Sequence, residues 1–85
     1  MPKQRTSEER NRVRQESLER YSDKELSLIK EWRPRLARDP GATERTMAEA
    51  IGIHHTTFSE RMGYFGVFTP EQIKKGEKFL QERGV

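Results

Sequence analysis

The chain has 85 residues, enough for one small domain that buries only a modest core. Apolar residues make up 31% of it and charged residues 36%, so the core must be concentrated in part of the chain while much of the rest stays solvated. A net charge of +3 favours an anionic partner, and the lack of cysteine excludes disulfide staples and thiolate chemistry.

Residues 1–21 hold almost no large apolar side chains beyond Met1, Val13 and Leu18, while Arg5, Arg10, Arg12, Arg14 and Arg20 alternate with Glu8, Glu9, Glu16 and Glu19. Glu16 and Arg20 form a favourable i,i+4 pair, so this stretch can be helical, but it has little surface with which to pack. It reads as a charged N-terminal arm or extra helix, and residues 22–85 as the domain proper.

From residue 22 the helix signals come in order. Ser22 and Glu25 match a capping box, and Leu26, Ile29, Trp32 or Arg33, and Leu36 follow on one face, with Pro34 expected to kink the helix or end its regular part near Arg33. The "DPG" at 39–41 is a turn. Thr43 caps the next helix, Glu44 suits its positive end, and Met47, Ala48 and Ile51 form its apolar face. Gly52 supplies a left-handed stop, and a second short helix over about 54–63 carries Phe58 and Met62 inward. In the last helix Thr69 and Gln72 form a second box, Pro70 takes the first position and Phe68 staples onto Ile73; it should run to about Arg83, burying Ile73, Phe79 and Leu80, with Gly84 as its stop.

Two short helices joined by a tight turn holding a glycine, with a small residue four before it, make a helix-turn-helix. The stretch "TERTMAEAIGIHHTTFSERM" resembles the lambda-repressor/Cro-like helix-turn-helix proteins of phages and bacteria, with Met47, Ala48, Ile51, Gly52, Ile53 and Phe58 on the motif's apolar, small, apolar, glycine, apolar and apolar positions. The aromatic-rich connector, the short capped helix and the Gly-Val end are more loosely similar to small phage regulators of the lambda CII type. The resemblance implies an all-α fold of four to five helices and sequence-specific binding of double-stranded DNA. Two residues depart from the family pattern. Glu44 stands where many members place a glutamine that touches a phosphate, and Arg61 occupies a position that is usually apolar, leaving burial to Met62.

The outward face of the second helix of the motif would lie in the major groove. His55, Thr56, Ser59 and Glu60 are then the expected base readers, since hydroxyls donate or accept, an imidazole can donate to guanine and a carboxylate can accept from cytosine. Arg33, Arg35, Arg38 and Arg45, in the densest basic region, together with His54 and Arg61, are the expected phosphate contacts. Arg10, Arg12 and Arg14 are candidate arm contacts in a minor groove, an idea their acidic neighbours oppose.

Adjacent residues on a helix point about 100° apart, so His54 and His55 cannot share an ion as an i,i+4 pair does, and no further ligand pair accompanies them. Ser59, four residues after His55, lacks a third orienting group. Neither a metal, a cofactor, a small-molecule substrate nor an enzymatic activity is expected. In "GYFGVF" at 63–68, Tyr64, Phe65 and Val67 either fill the core or form a homodimer interface, as suits a protein that binds two half-sites about 34 Å apart. No apolar run approaches the roughly 18 residues of a membrane span, and the opening "MPKQRTSEER" lacks a signal-peptide apolar region, so a soluble, cytoplasmic protein is expected.

The expected function is a DNA-binding transcriptional regulator of phage, plasmid or bacterial type, repressing by blocking polymerase or activating by presenting a face to it. The alternatives on the same fold are a protein-interaction module such as an adaptor or antitoxin, and an excisionase-like protein that bends DNA.

Overall fold

Each helix of the domain begins where a side chain can satisfy the backbone N–H groups that a first turn leaves without partners. In the computed structural model, which describes residues 7–85, Ser22 and Glu25 close the expected capping box ahead of α2 (Asp23–Leu36). Thr69 and Gln72 do the same for α5 (Pro70–Glu82). Thr43 opens α3 (Glu44–Ile51) by a box completed by Thr46, whose Oγ1 accepts the Thr43 N–H at 2.9 Å. The helix α4 (His55–Met62) follows after a short turn, and the charged segment forms α1 (Ser7–Glu19). The described residues are therefore all-helical. The first six residues of that charged segment lie outside them.

The helices α3, α4 and α5 end by one shared device. At Gly52, Tyr64 and Gly84 the backbone turns left-handed (φ 92°, 65° and 72°), and in each case the next N–H returns to a carbonyl five residues back. These bonds run from Ile53 to Ala48, from Phe65 to Glu60 and from Val85 to Leu80. Each is the 6→1 bond of a Schellman motif, accompanied by its shorter partner from Gly52, Tyr64 and Gly84 to Glu49, Arg61 and Gln81. At α4 the left-handed residue is a tyrosine, although Gly63 stands beside it at φ −86°.

Pro34 does not end α2. The helix continues to Leu36, and the Ala37 N–H closes onto the Arg33 carbonyl. A proline this close to the C-terminus deprives only the Lys30 carbonyl of its partner, and burial of Leu36 holds the final turn in place.

The core is built around Trp32, which is fully buried. Its ring lies parallel to Phe58 at 6.3 Å between centroids and meets Phe68 edge-on at 5.1 Å, arrangements that suit the ring quadrupoles. Ile29, Met47, Ala48, Ile51, Met62, Ile73 and Leu80 surround the trio. The helix α5 packs against both α2 and α3, and α3 packs against α4. Leu26 and Phe79, expected inside, are only half-buried, and the Arg83 guanidinium covers the Phe79 ring at 4.8 Å.

The segment expected to be an arm or extra helix is anchored to the domain at its C-terminal end. Ser17 is buried, and its hydroxyl accepts the Gly66 N–H at 3.3 Å. Tyr21, which the charge pattern places outside the domain, belongs to its core: its oxygen accepts the Phe68 N–H at 2.7 Å. Two hydrogen bonds thus join the end of α1 to the connector 63–68.

Candidate nucleic-acid interface

Ile51, Gly52 and Ile53 carry the chain from α3 into α4, the two helices pack together, and Ala48 is fully buried with its carbonyl accepting the Gly52 and Ile53 N–H groups. The N-cap of α4 is His54, whose Nδ1 accepts the Thr56 N–H at 3.2 Å. This is an unusual capping group, since serine, threonine, aspartate and asparagine are the usual ones. A proton on that nitrogen would abolish the bond and put positive charge at the positive end of the helix. The His55 ring lies against it at 4.3 Å between centroids.

The interior side of α4 is set by Phe58 and Met62, both buried. Thr56, Ser59 and Glu60 lie away from that side, His55 stands on its flank in the first turn, all four are exposed, and Thr57 is partly covered. Periodicity presents Thr56, Ser59 and Glu60, whereas His55 is exposed at the first position of the helix. The turn before the helix adds His54, also exposed.

The expected phosphate contacts divide into groups. Arg38 and Arg45 lie at the surface and enter no ion pair among the described residues. Arg33 is also exposed, but its Nε donates to Glu44 at 3.0 Å. That bond explains the departure at position 44, because the carboxylate is neutralised by the neighbouring helix and does not stand alone on the surface. Arg61 donates from Nη1 to Gln72 Oε1 at 2.8 Å, tying the end of α4 to the cap of α5, and is half-buried.

Arg35 has to be withdrawn from this set. Its side chain is only 17% exposed, Nη1 donates to Glu77 Oε2 at 2.6 Å, and Nε and Nη2 donate to the Val85 main-chain oxygen at 3.0 and 2.8 Å. The same Glu77 oxygen accepts the Trp32 indole N–H at 3.0 Å. Arg35 therefore clasps α2, α5 and the end of the chain together. The density of basic residues cannot reveal this, since an arginine in a cluster and one in a buried network look alike in sequence; the only available signal was the lone acid, Glu77, on the inner flank of α5.

The arm residues also separate. Arg10 and Arg14 fall on the face that carries Ser17, at steps of four and three, whereas Arg12 lies on the outer side with Glu8, Glu16 and Glu19. The Arg14 guanidinium sits 6.0 Å from the centroid of Phe65.

Tyr64, Phe65 and Val67 are each half-buried, with Tyr64 and Val67 against the core and Phe65 beneath Arg14. The connector therefore does not present a stripe of exposed aromatic rings, since Phe68 is buried in the core and α1 is anchored on Gly66 and Phe68. Among the described residues no three of His, Cys, Asp or Glu gather around a possible ion, and no helix is long and apolar enough to cross a membrane. No family model, no curated protein and no solved structure matches the chain. The resemblance to the lambda-repressor/Cro-like proteins accordingly rests on the residues of the motif.

Proposed function

We propose that the protein is a sequence-specific DNA-binding transcriptional regulator that lays α4 in the major groove. The observation that carries this reading is the composition of the outer face of α4. His55, Thr56, Ser59 and Glu60 stand clear of the core on a helix held by a tight glycine turn, and each can exchange hydrogen bonds with base edges. Arg38 and Arg45, at the surface and outside the ion pairs described, are the phosphate contacts best suited to position that helix. Arg33 and Arg61 join them only by exchanging Glu44 and Gln72 for phosphate.

The protein-interaction alternative relies on "GYFGVF" as its gripping surface, and the half-burial of that stretch removes its main support. The same burial weakens the case for a homodimer held by these aromatics.

The test is selection of bound sequences from a random duplex pool at low salt, with folding verified by circular dichroism. Enrichment of one site supports the reading, and a palindromic site adds two-fold symmetry. A folded protein that enriches no sequence overturns it.

A further inference from the structure

Charge along α1 is divided between its faces, although the sequence reads as a mixture. Ser17, buried against Gly66, and Arg14, over Phe65, identify the face turned towards the body. One turn further out on that face stands Arg10, which is exposed. Neither Arg10 nor Arg14 enters an ion pair among the described residues. The acids Glu8, Glu16 and Glu19 occupy the other side, with Arg12 between them.

This arginine face continues the end of α4. The Cβ position of Gly66 lies 3.3 Å from Arg61 Cγ, and the N–H of the same Gly66 donates to Ser17. Arg61, Gly66, Ser17, Arg14 and Arg10 thus succeed one another from the last turn of α4 out along α1. Two arginines at i,i+4 repel and disfavour the helix that carries them. Among the described residues neither is offset by an ion pair, which is the charge pattern of a surface that meets an anion.

We infer that the inner face of α1, through Arg10 and Arg14, is a second contact surface for duplex DNA, gripping backbone phosphates that flank the site read by α4. The inference rests on the proposed α4 reading and extends its footprint. Charge complementarity commits it to a polyanion: the face carries two guanidinium groups and no carboxylate along the 10-14-17 stripe.

The experiment compares the full chain with Arg10→Gln and with Arg10→Gln/Arg14→Gln on two duplexes: the selected site alone, and the same site with a full helical turn of flanking sequence on each side. The expected result is weaker binding of the long duplex, with the slope of log affinity against log salt shallower by roughly 0.9 for each phosphate no longer gripped. Affinity for the short duplex and base preference should stay as in the wild type. Glu8→Gln/Glu19→Gln, on the outer face, should not weaken binding. Arg10→Gln alone keeps the test valid if taking the Arg14 guanidinium away from Phe65 loosens α1, because Arg10 enters no ion pair among the described residues. Equal slopes for wild type and both arginine variants on the long duplex overturn the inference while leaving the α4 reading intact. A wild type that binds neither duplex removes both, and equal weakening on both duplexes overturns the flanking surface by assigning the arginines to the α4 site itself.

Discussion

Gly76 shows how a single missing side chain organises the core. It lies in the middle of α5, where glycine costs about 1 kcal/mol relative to alanine. A Cβ there would come within 2.7 and 2.9 Å of Trp32 Cζ2 and Cη2 and 3.0 Å of Met47 Cε. The indole cannot retreat, since Phe58 and Phe68 flank it and Glu77 holds its N–H. Overpacking of this kind costs about 1–3 kcal/mol, which outweighs the gain in helix propensity. Gly76→Ala should therefore lower the urea midpoint with an unchanged slope; an equal or higher midpoint would refute the close-packing account. Periodicity passed over this position because it registers apolar side chains, and glycine has none. Asp39 carries a smaller effect, visible in acid. The Arg83 guanidinium, and after it the Gly41 N–H, hold its carboxyl below the usual carboxylate range. An acid depressed in the folded state contributes stability above its unfolded pKa of about 3.9 and loses it as pH falls through the folded value. Wild type and Asp39→Asn should thus differ in denaturant midpoint at neutral pH and converge as pH falls below about 4; a gap that persists in acid would assign the difference to another cause.

Among the elements, the helix starts were the most legible, because Ser22, Thr43 and Thr69 each satisfy the backbone within their own helix. Such local chemistry leaves a local pattern. The ends were legible at Gly52 and Gly84 and obscured at Tyr64, where tertiary packing places a tyrosine in the left-handed position beside an available glycine. The attachment of α1 was not legible at all. It depends on Tyr21 accepting an N–H from Phe68, 47 positions along the chain, and on Ser17 accepting one from Gly66. Tyr21→Phe should leave the buried Phe68 N–H without its acceptor and cost about 1–3 kcal/mol. Its effect should also depend on pH. Burial raises the Tyr21 hydroxyl above its ordinary value, against the opposing pull of the Phe68 N–H. For an acid raised in the folded state, stability is fully present below the unfolded pKa of about 10 and is lost as pH rises towards the folded value. The gap in midpoint between wild type and Tyr21→Phe should hold steady from about pH 7 to 9 and then shrink above about pH 10. A constant gap would mean that the tyrosine is not buried with its proton on.

At the scale of the whole molecule, net charge was a poor guide to which cations serve the surface. Arg35 is committed to Glu77 and the Val85 oxygen, Arg33 is paired with Glu44, and Arg38 and Arg45 remain at the surface. Of the base-reading candidates, Thr56, Ser59 and Glu60 were easier to assign to an outer face, because a helix of eight residues with Phe58 and Met62 inside leaves little choice of it, whereas His55 falls on the flank. Three kinds of variant should therefore behave differently on a selected duplex. Thr56→Ala and Ser59→Ala, which alter the proposed base-reading groups, should reduce discrimination between the site and its single-base mismatches by about 1–3 kcal/mol at the position each reads, leaving the salt slope unchanged. Arg38→Ala and Arg45→Ala should weaken all sequences alike and flatten the slope by roughly 0.9 each. Arg35→Ala should act through the fold: it leaves Glu77 half-buried beside Trp32 without its cation, so the effect should appear first as a lower unfolding midpoint in the absence of DNA. Binding titrations at several salt concentrations, paired with urea melts of the free protein, separate the three. If Arg35→Ala flattens the salt slope while its melt matches wild type, the arginine reaches phosphate after all, and its clasp on Glu77 and Val85 is not what holds α2 to α5.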